Sequence, residues 1–329
     1  MRFQDGIHAQ PEVLEGSAKA VRSALPGIAP PGGRATVALV GIGASEHIAR
    51  SAAPVWRDLG IKAFAVSASE LLQGDRSIAD VYVAMSESGR SAETVSALQN
   101  VQGRRVGITN FADSAIADVV EDLLLMESGP DSPVYTTGYT ATLQAIGMLG
   151  EHWAGTSSDW ARLPLLAGEV LSAAAPVVSS VVERFDEARI IDVVATGASS
   201  ATAGEGALVL REAARAHTAA HETYNYLHGP MEPMDATSAC IVIGNDREVR
   251  LAQDMSALGC PTLLVTTRTD IASADELTVI ALPEAPSTLA RAVLEILPLQ
   301  LLSWDLASRR GLRVDGFRYH QDDTKLACR

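Results

Sequence analysis

Four residues of this chain have the types and settings for proton transfer and carbonyl chemistry: Glu205, Glu212, His228 and Lys325. Glu205 and Glu212 stand seven apart in Gly204-Glu205-Gly206-Ala207-Leu208-Val209-Leu210-Arg211-Glu212, so a helix puts them on one face with Leu208 between them. A carboxylate on an apolar face is desolvated, and its pKa rises toward the range in which it carries protons. Arg211 offers the competing reading of a surface ion pair with Glu212. His228 precedes Gly229-Pro230, a turn that fixes the direction of its imidazole. Lys325 gains a chemical role only if the polar tail after Gly311 folds back over these groups. A second constellation, Ser86-Glu87-Ser88-Gly89-Arg90-Ser91, closes the apolar run 81–85 and leads into a helical pattern at Ala92, Thr94, Val95 and Leu98. Strand, tight turn and helix start bring together free backbone N–H groups, a helix dipole and three hydroxyls, a cradle suited to a phosphate monoester. An ordinary capped helix would read the same from the hexapeptide alone.

The elements that must position these groups follow from the hydrophobic periods. Strands are predicted at 36–40, 61–66, 81–85, 105–109 and 123–126, with helical patterns between most of them and a long helix at 136–153. A linker helix over 160–185 precedes a second cycle of strands at 190–195, 218–223, 239–243, 262–265 and 277–282, with a long helix at 287–309. Alternating strands and helices imply an α/β fold of parallel sheets covered on both faces. Gly43-Ala44-Ser45 and Gly197-Ala198-Ser199 occupy the same place in each cycle, the mark of a duplication. The second half has Gly244-Asn245-Asp246 where the first has its serine cluster, so one phosphate site per chain is expected, in the first half. The organisation predicted is an N-terminal arm (1–34), a first domain with the phosphate cradle (35–158), a second with the glutamate helix and histidine loop (159–310) and a tail carrying Lys325 (311–329).

Composition bounds the partners. The chain has 329 residues, 47% hydrophobic and 20% charged, enough for a large core. A net charge of −14 argues against nucleic acid, while a local nest of donors still accommodates an anionic substrate. Cys240, Cys260 and Cys328 show no metal-ligand spacing and read as reduced thiols, two of them in or beside apolar strand patterns. With no signal peptide at Met1 and no apolar run read as long enough to span a bilayer, a soluble cytoplasmic protein without membrane partners is expected. Gly41-Ile42-Gly43 and Thr196-Gly197 do not complete a dinucleotide fingerprint, and no Walker lysine, HExxH or GxSxG is present. No cofactor or metal is expected.

A phosphate cradle, a glutamate base, a loop histidine and a lysine together fit sugar-phosphate chemistry: ring opening at His228, proton movement between C1 and C2 at Glu212 and carbonyl capture at Lys325. In this order and spacing, with Gln10-Pro11, His228-Gly229-Pro230 and Leu297-Pro298-Leu299-Gln300-Leu301-Leu302, the chain resembles the sugar isomerase (SIS) family. It resembles most closely the isomerase half of the glutamine–fructose-6-phosphate aminotransferases. The resemblance implies two tandem SIS domains, with Gly43, Ala44, Ser45, Ser86, Glu87, Ser88 and Ser91 about the phosphate. It further implies Val134, Thr136 and Glu205 near the sugar, and a homodimer with shared active sites in which the neighbouring subunit supplies His228. The departures are Val209 in place of a lysine, Glu87 in place of a neutral glutamine, and no glutaminase segment ahead of the duplication. A carboxylate at 87 repels phosphate unless Arg90 neutralises it. These point to stand-alone relatives, and to an amino-sugar phosphate deaminase of the glucosamine-6-phosphate type. A plain phosphosugar isomerase, a fructosamine-6-phosphate deglycase and a non-catalytic phosphosugar-binding regulator are the alternatives.

Overall fold

Thr36–Gly41 (β1) is apolar at every position after the first and buried on both sides, as a central parallel strand must be. In the computed structural model, which describes residues 1–73 and 77–327, β1 is flanked by Lys62–Ser67 (β2) and Val81–Met85 (β3), followed outward by Arg104–Thr109 (β4) and Asp122–Leu125 (β5). All pairs are parallel, in the order β2-β1-β3-β4-β5. The second sheet repeats that order with Ile191–Ala195 (β6) at its pivot: Thr218–Glu222 (β7) lies on one side, and Ala239–Ile243 (β8), Thr262–Thr266 (β9) and Leu277–Ala281 (β10) on the other. The duplication read from the two Gly-Ala-Ser turns extends to the backbone, since Gly43 and Gly197 both take φ near +60° (58° and 59°) directly before or at a helix start. A side chain with a Cβ is strained there.

Helices fill the space between the sheets. Phe3–Ala24 (α1), Ala44–Asp58 (α2) and Thr137–Ala154 (α4) meet Leu163–Glu187 (α5), Ser200–Ala214 (α6) and Thr288–Arg309 (α9). One apolar core runs through this shared layer, from Val37 and Leu39 of β1 to Ile191 and Val193 of β6. The outer faces have smaller cores of their own, under Ala92–Gln99 (α3) on the first sheet and under the short helix Thr223–Tyr226 (α7) with Arg247–Ala257 (α8) on the second.

One expectation is corrected by α5. Trp160–Glu187 has a mean hydropathy of 1.8 and is long and apolar enough, by length and composition, to cross a bilayer. Here it packs along α9 and α1, burying Leu166, Val170, Ala174, Val178, Val181 and Phe185. Cys240 and Cys260 are buried free thiols, as expected; Cys328 lies outside the described residues.

Candidate active site

In each sheet the direction of winding reverses between the first and third strands, β1 and β3 or β6 and β8. The strand ends there diverge to leave a crevice, the usual ligand position in a doubly wound fold. At the first crevice the turn after β1 presents Ile42, Gly43, Ala44 and Ser45, and the loop after β3 presents Glu87 and Ser91, around a pocket of about 360 Å³. The Ser91 hydroxyl is the N-cap of α3 but makes no capping bond; it lies 3.1 Å from the Ser86 hydroxyl, which is buried behind it. Ser88 turns to the adjoining pocket on the far side of the loop, where its hydroxyl accepts from the Arg90 N–H at 3.3 Å. Of the expected phosphate groups, Gly43, Ala44, Ser45, Glu87 and Ser91 therefore line one pocket directly, and Ser86 and Ser88 stand behind and beside it.

The opposite wall comes from α6. Glu205, Leu208 and Glu212 line the same pocket, as the seven-residue spacing predicts. Gly204 permits this, because a Cβ there would lie 2.3 Å from the His47 ring, so only glycine lets α6 press against α2. Glu205 is 1% exposed, and its Oε2 has no hydrogen-bond partner among the described residues. Burial, with Glu212 and Asp131 adding negative potential, pushes its pKa well up. Glu212 is raised from 4.5 to about 7 by burial, which the Lys325 charge partly opposes. Arg211 does not pair with it; its guanidinium donates to the Thr218 carbonyl instead.

The tail does fold back. The Ala92 N–H donates to the Thr324 carbonyl at 3.1 Å and the Leu326 N–H to the Arg90 carbonyl at 2.9 Å, an antiparallel bridge centred on Ser91 and Lys325. Arg90 Nε clamps the Leu326 carbonyl at 2.7 Å. Lys325 thereby enters the pocket, with Nζ 3.3 Å from the Tyr135 hydroxyl and 5.5 Å from its ring centroid.

With its guanidinium turned to the tail, Arg90 does not neutralise Glu87. The Glu87 side chain is 8% exposed and accepts from Asn110 Nδ2 at 3.2 Å. Burial first, and Asp131 second, raise its pKa. Replacing Glu87 by glutamine keeps the shape and removes the charge beside the cradle. Binding of a sugar phosphate, measured calorimetrically at pH 8, is expected to tighten about fivefold, the effect of one like charge at partly screened distance. An unchanged or weaker affinity would mean that the phosphate does not sit by this loop.

Val134 and Thr136 are also corrected. Both side chains are fully buried away from the pocket, and the alternate residues Pro133 and Tyr135 line it. The controlling residue is Asp131, which sequence reasoning missed. Its carboxylate accepts the Ser132, Thr136 and Gly138 N–H groups at 2.7–2.8 Å and the Thr136 hydroxyl at 2.6 Å, capping α4 and setting which side chains face inward. Asp131→Ala is expected to cost about 3 kcal/mol in urea unfolding, through several orphaned donors, and to weaken substrate binding as Tyr135 drifts. The only signal for it in the sequence is an acidic residue shortly before a helix.

His228 stands apart. It follows α7 in an exposed turn and does not line the pocket formed by its own chain. Among the described residues no cluster of His, Cys, Asp and Glu is arranged to hold a metal ion.

Comparison with known proteins agrees with this architecture. Residues 185–308 match the SIS domain family. The chain is 29% identical over 260 residues to a glutamine–fructose-6-phosphate aminotransferase (isomerizing) of Thermus thermophilus, covering 71% of this chain and 42% of that protein, so it spans less than half the length of this relative. It superposes on the C-terminal domain of glucosamine-fructose-6-phosphate aminotransferase from Francisella tularensis with a TM-score of 0.81 at 20% identity, covering 95% of this chain and 97% of that one. For a glucosamine-6-phosphate deaminase from Thermotoga maritima the TM-score is 0.80 at 19% identity, covering 98% of each chain. At these identities the two structures establish a shared fold. The second domain thus matches the SIS, or sugar isomerase, domain family, and the first repeats its strand order, so the chain has the fold of two such units in tandem.

Proposed function

We propose that this chain is a cytoplasmic phosphosugar isomerase that releases the amine of an amino-sugar phosphate, in the manner of glucosamine-6-phosphate deamination. The observation that carries this reading is Glu212, with a pKa of about 7, facing the same pocket as Lys325, Ser45 and Ser91. A binding protein needs the cradle but has no use for a proton carrier tuned to neutrality. In the proposed reaction the cradle holds the phosphate and Glu212 takes the C2 proton, giving an enolamine. Return of that proton to C1 leaves an imine at C2, and water hydrolyses it to the ketose phosphate and ammonia. His228 opens the sugar ring from a second copy of the chain, consistent with its exposed position outside its own pocket. Lys325 holds its ammonium beside the carbonyl end of the substrate. The likeness to the Thermotoga maritima deaminase and to the aminotransferase relatives supports the substrate class.

The test is ammonia release from the purified protein with glucosamine-6-phosphate, galactosamine-6-phosphate, N-acetylglucosamine-6-phosphate and a fructosamine-6-phosphate. Release from one hexosamine phosphate establishes the deaminase and its epimer. Release from the fructosamine alone establishes a deglycase. Silence together with thermal stabilisation by these sugars would overturn the enzymatic reading in favour of a phosphosugar-binding regulator.

A further inference from the structure

The second switch-point crevice, between the ends of β6 and β8, is the counterpart of the sugar-phosphate cradle and has no serine cluster on the loop after its third strand position, where Gly244, Asn245 and Asp246 stand. Its pocket of about 100 Å³ is lined by Thr196, Gly244, Arg291 and three carboxylates, the exposed Asp246 and the buried Glu248 and Glu295. Glu295 is 3% exposed and fully engaged: Ser199 donates at 2.8 Å, Thr202 at 3.1 Å, and Arg291 Nε lies 3.3 Å away. Glu248 is not. It is 2% exposed and lines the pocket, and its Oε1 has no hydrogen-bond partner among the described residues. The chain makes deliberate room for it. Gly244 has φ +150°, and a Cβ there would come within 2.5–2.8 Å of the Glu248 side chain. A buried carboxylate oxygen without a partner is destabilising unless a donor or positive charge joins it, and Arg291, the guanidinium lining the pocket, forms its ion pair with Glu295 rather than with Glu248.

We propose that this crevice binds a small monovalent cation, ammonium or potassium, on the free oxygen of Glu248. The pocket is too small for a sugar. With Glu295 engaged and Asp246 open to solvent, one buried carboxylate is available, too little for a dehydrated divalent ion, and among the described residues no cluster of His, Cys, Asp and Glu is arranged to hold a metal. The inference is independent of the reaction assigned to the first crevice.

The test is thermal unfolding of the full chain in the chlorides of ammonium, potassium, sodium and tetramethylammonium at one ionic strength. Ammonium, potassium or both are expected to raise Tm saturably by about 2 °C over sodium and tetramethylammonium. A response to ammonium alone identifies N–H donation as the basis of recognition, and a response to both identifies ionic size. Glu248→Gln is expected to abolish the difference while being at least as stable as the wild type in tetramethylammonium chloride. Calorimetric titration of the wild type with ammonium chloride and potassium chloride gives a second readout that does not depend on the variant folding. Equal Tm in all four salts with no binding heat, or an ion-specific shift that survives in Glu248→Gln, would overturn the proposal.

Discussion

Glu212→Gln is expected to lower kcat about 10³-fold with KM for the sugar phosphate nearly unchanged, because a lost general base removes an interaction made only on the way to the transition state. The same substitution is expected to stabilise the protein above neutral pH. The Glu212 pKa is raised from 4.5 in the unfolded chain to about 7 in the folded one, so between those values the folded state binds more protons. Its stability then falls as pH rises from 4.5 through 7 and levels off above that. The full penalty at pH 8 is about 3 kcal/mol, at 1.36 kcal/mol per unit. Glutamine carries no such penalty. Its Tm at pH 8 is expected to exceed that of the wild type by several degrees, and the two are expected to converge below the unfolded pKa of 4.5. Surviving turnover would remove Glu212 from the mechanism; lost turnover without the pH-dependent gain in Tm would mean that its carboxylate is better solvated than its position between Leu208 and Lys325 implies.

What the sequence makes legible follows from the range of the forces involved. β3 and β8 stand where the apolar runs place them, and the duplication is visible because a positive-φ glycine is required at both Gly43 and Gly197. Glu205 and Glu212 share a wall because helical period alone decides it. At the site, the failures are in irregular backbone. Whether Val134 or Tyr135 faces the pocket depends on Asp131 gathering three backbone N–H groups across seven residues, and no period encodes that. Arg90, three residues from Glu87, is the cation within reach of it in sequence, but the loop sends the guanidinium to a carbonyl 236 residues away. Helix α5 is legible as a linker over 160–185, but its Gly, Ser and Pro residues interrupt the apolar run and hide that it is long and apolar enough to span a bilayer.

Lys325 gives the second large effect, and one that separates positioning from charge. Its ammonium opposes the burial that raises the Glu212 pKa, while the backbone bridge through Thr324 and Leu326 holds the tail without help from the side chain. Lys325→Met should therefore leave the tail docked and remove only the charge. Turnover is expected to fall about 10²-fold or more, as for loss of a group acting on the reacting carbonyl. The acid limb of kcat/KM, which reports the ionisation of Glu212 in the free enzyme, is expected to move to higher pH, because the carboxylate has lost the cation that favours its charged form. A deletion of the chain from Thr324 onward should shift the profile the same way and also raise KM, since the pocket loses a wall. If Lys325→Met lowers the rate with no displacement of the acid limb, Lys325 and Glu212 are not coupled during turnover, and the tail serves to close the pocket rather than to set its charge.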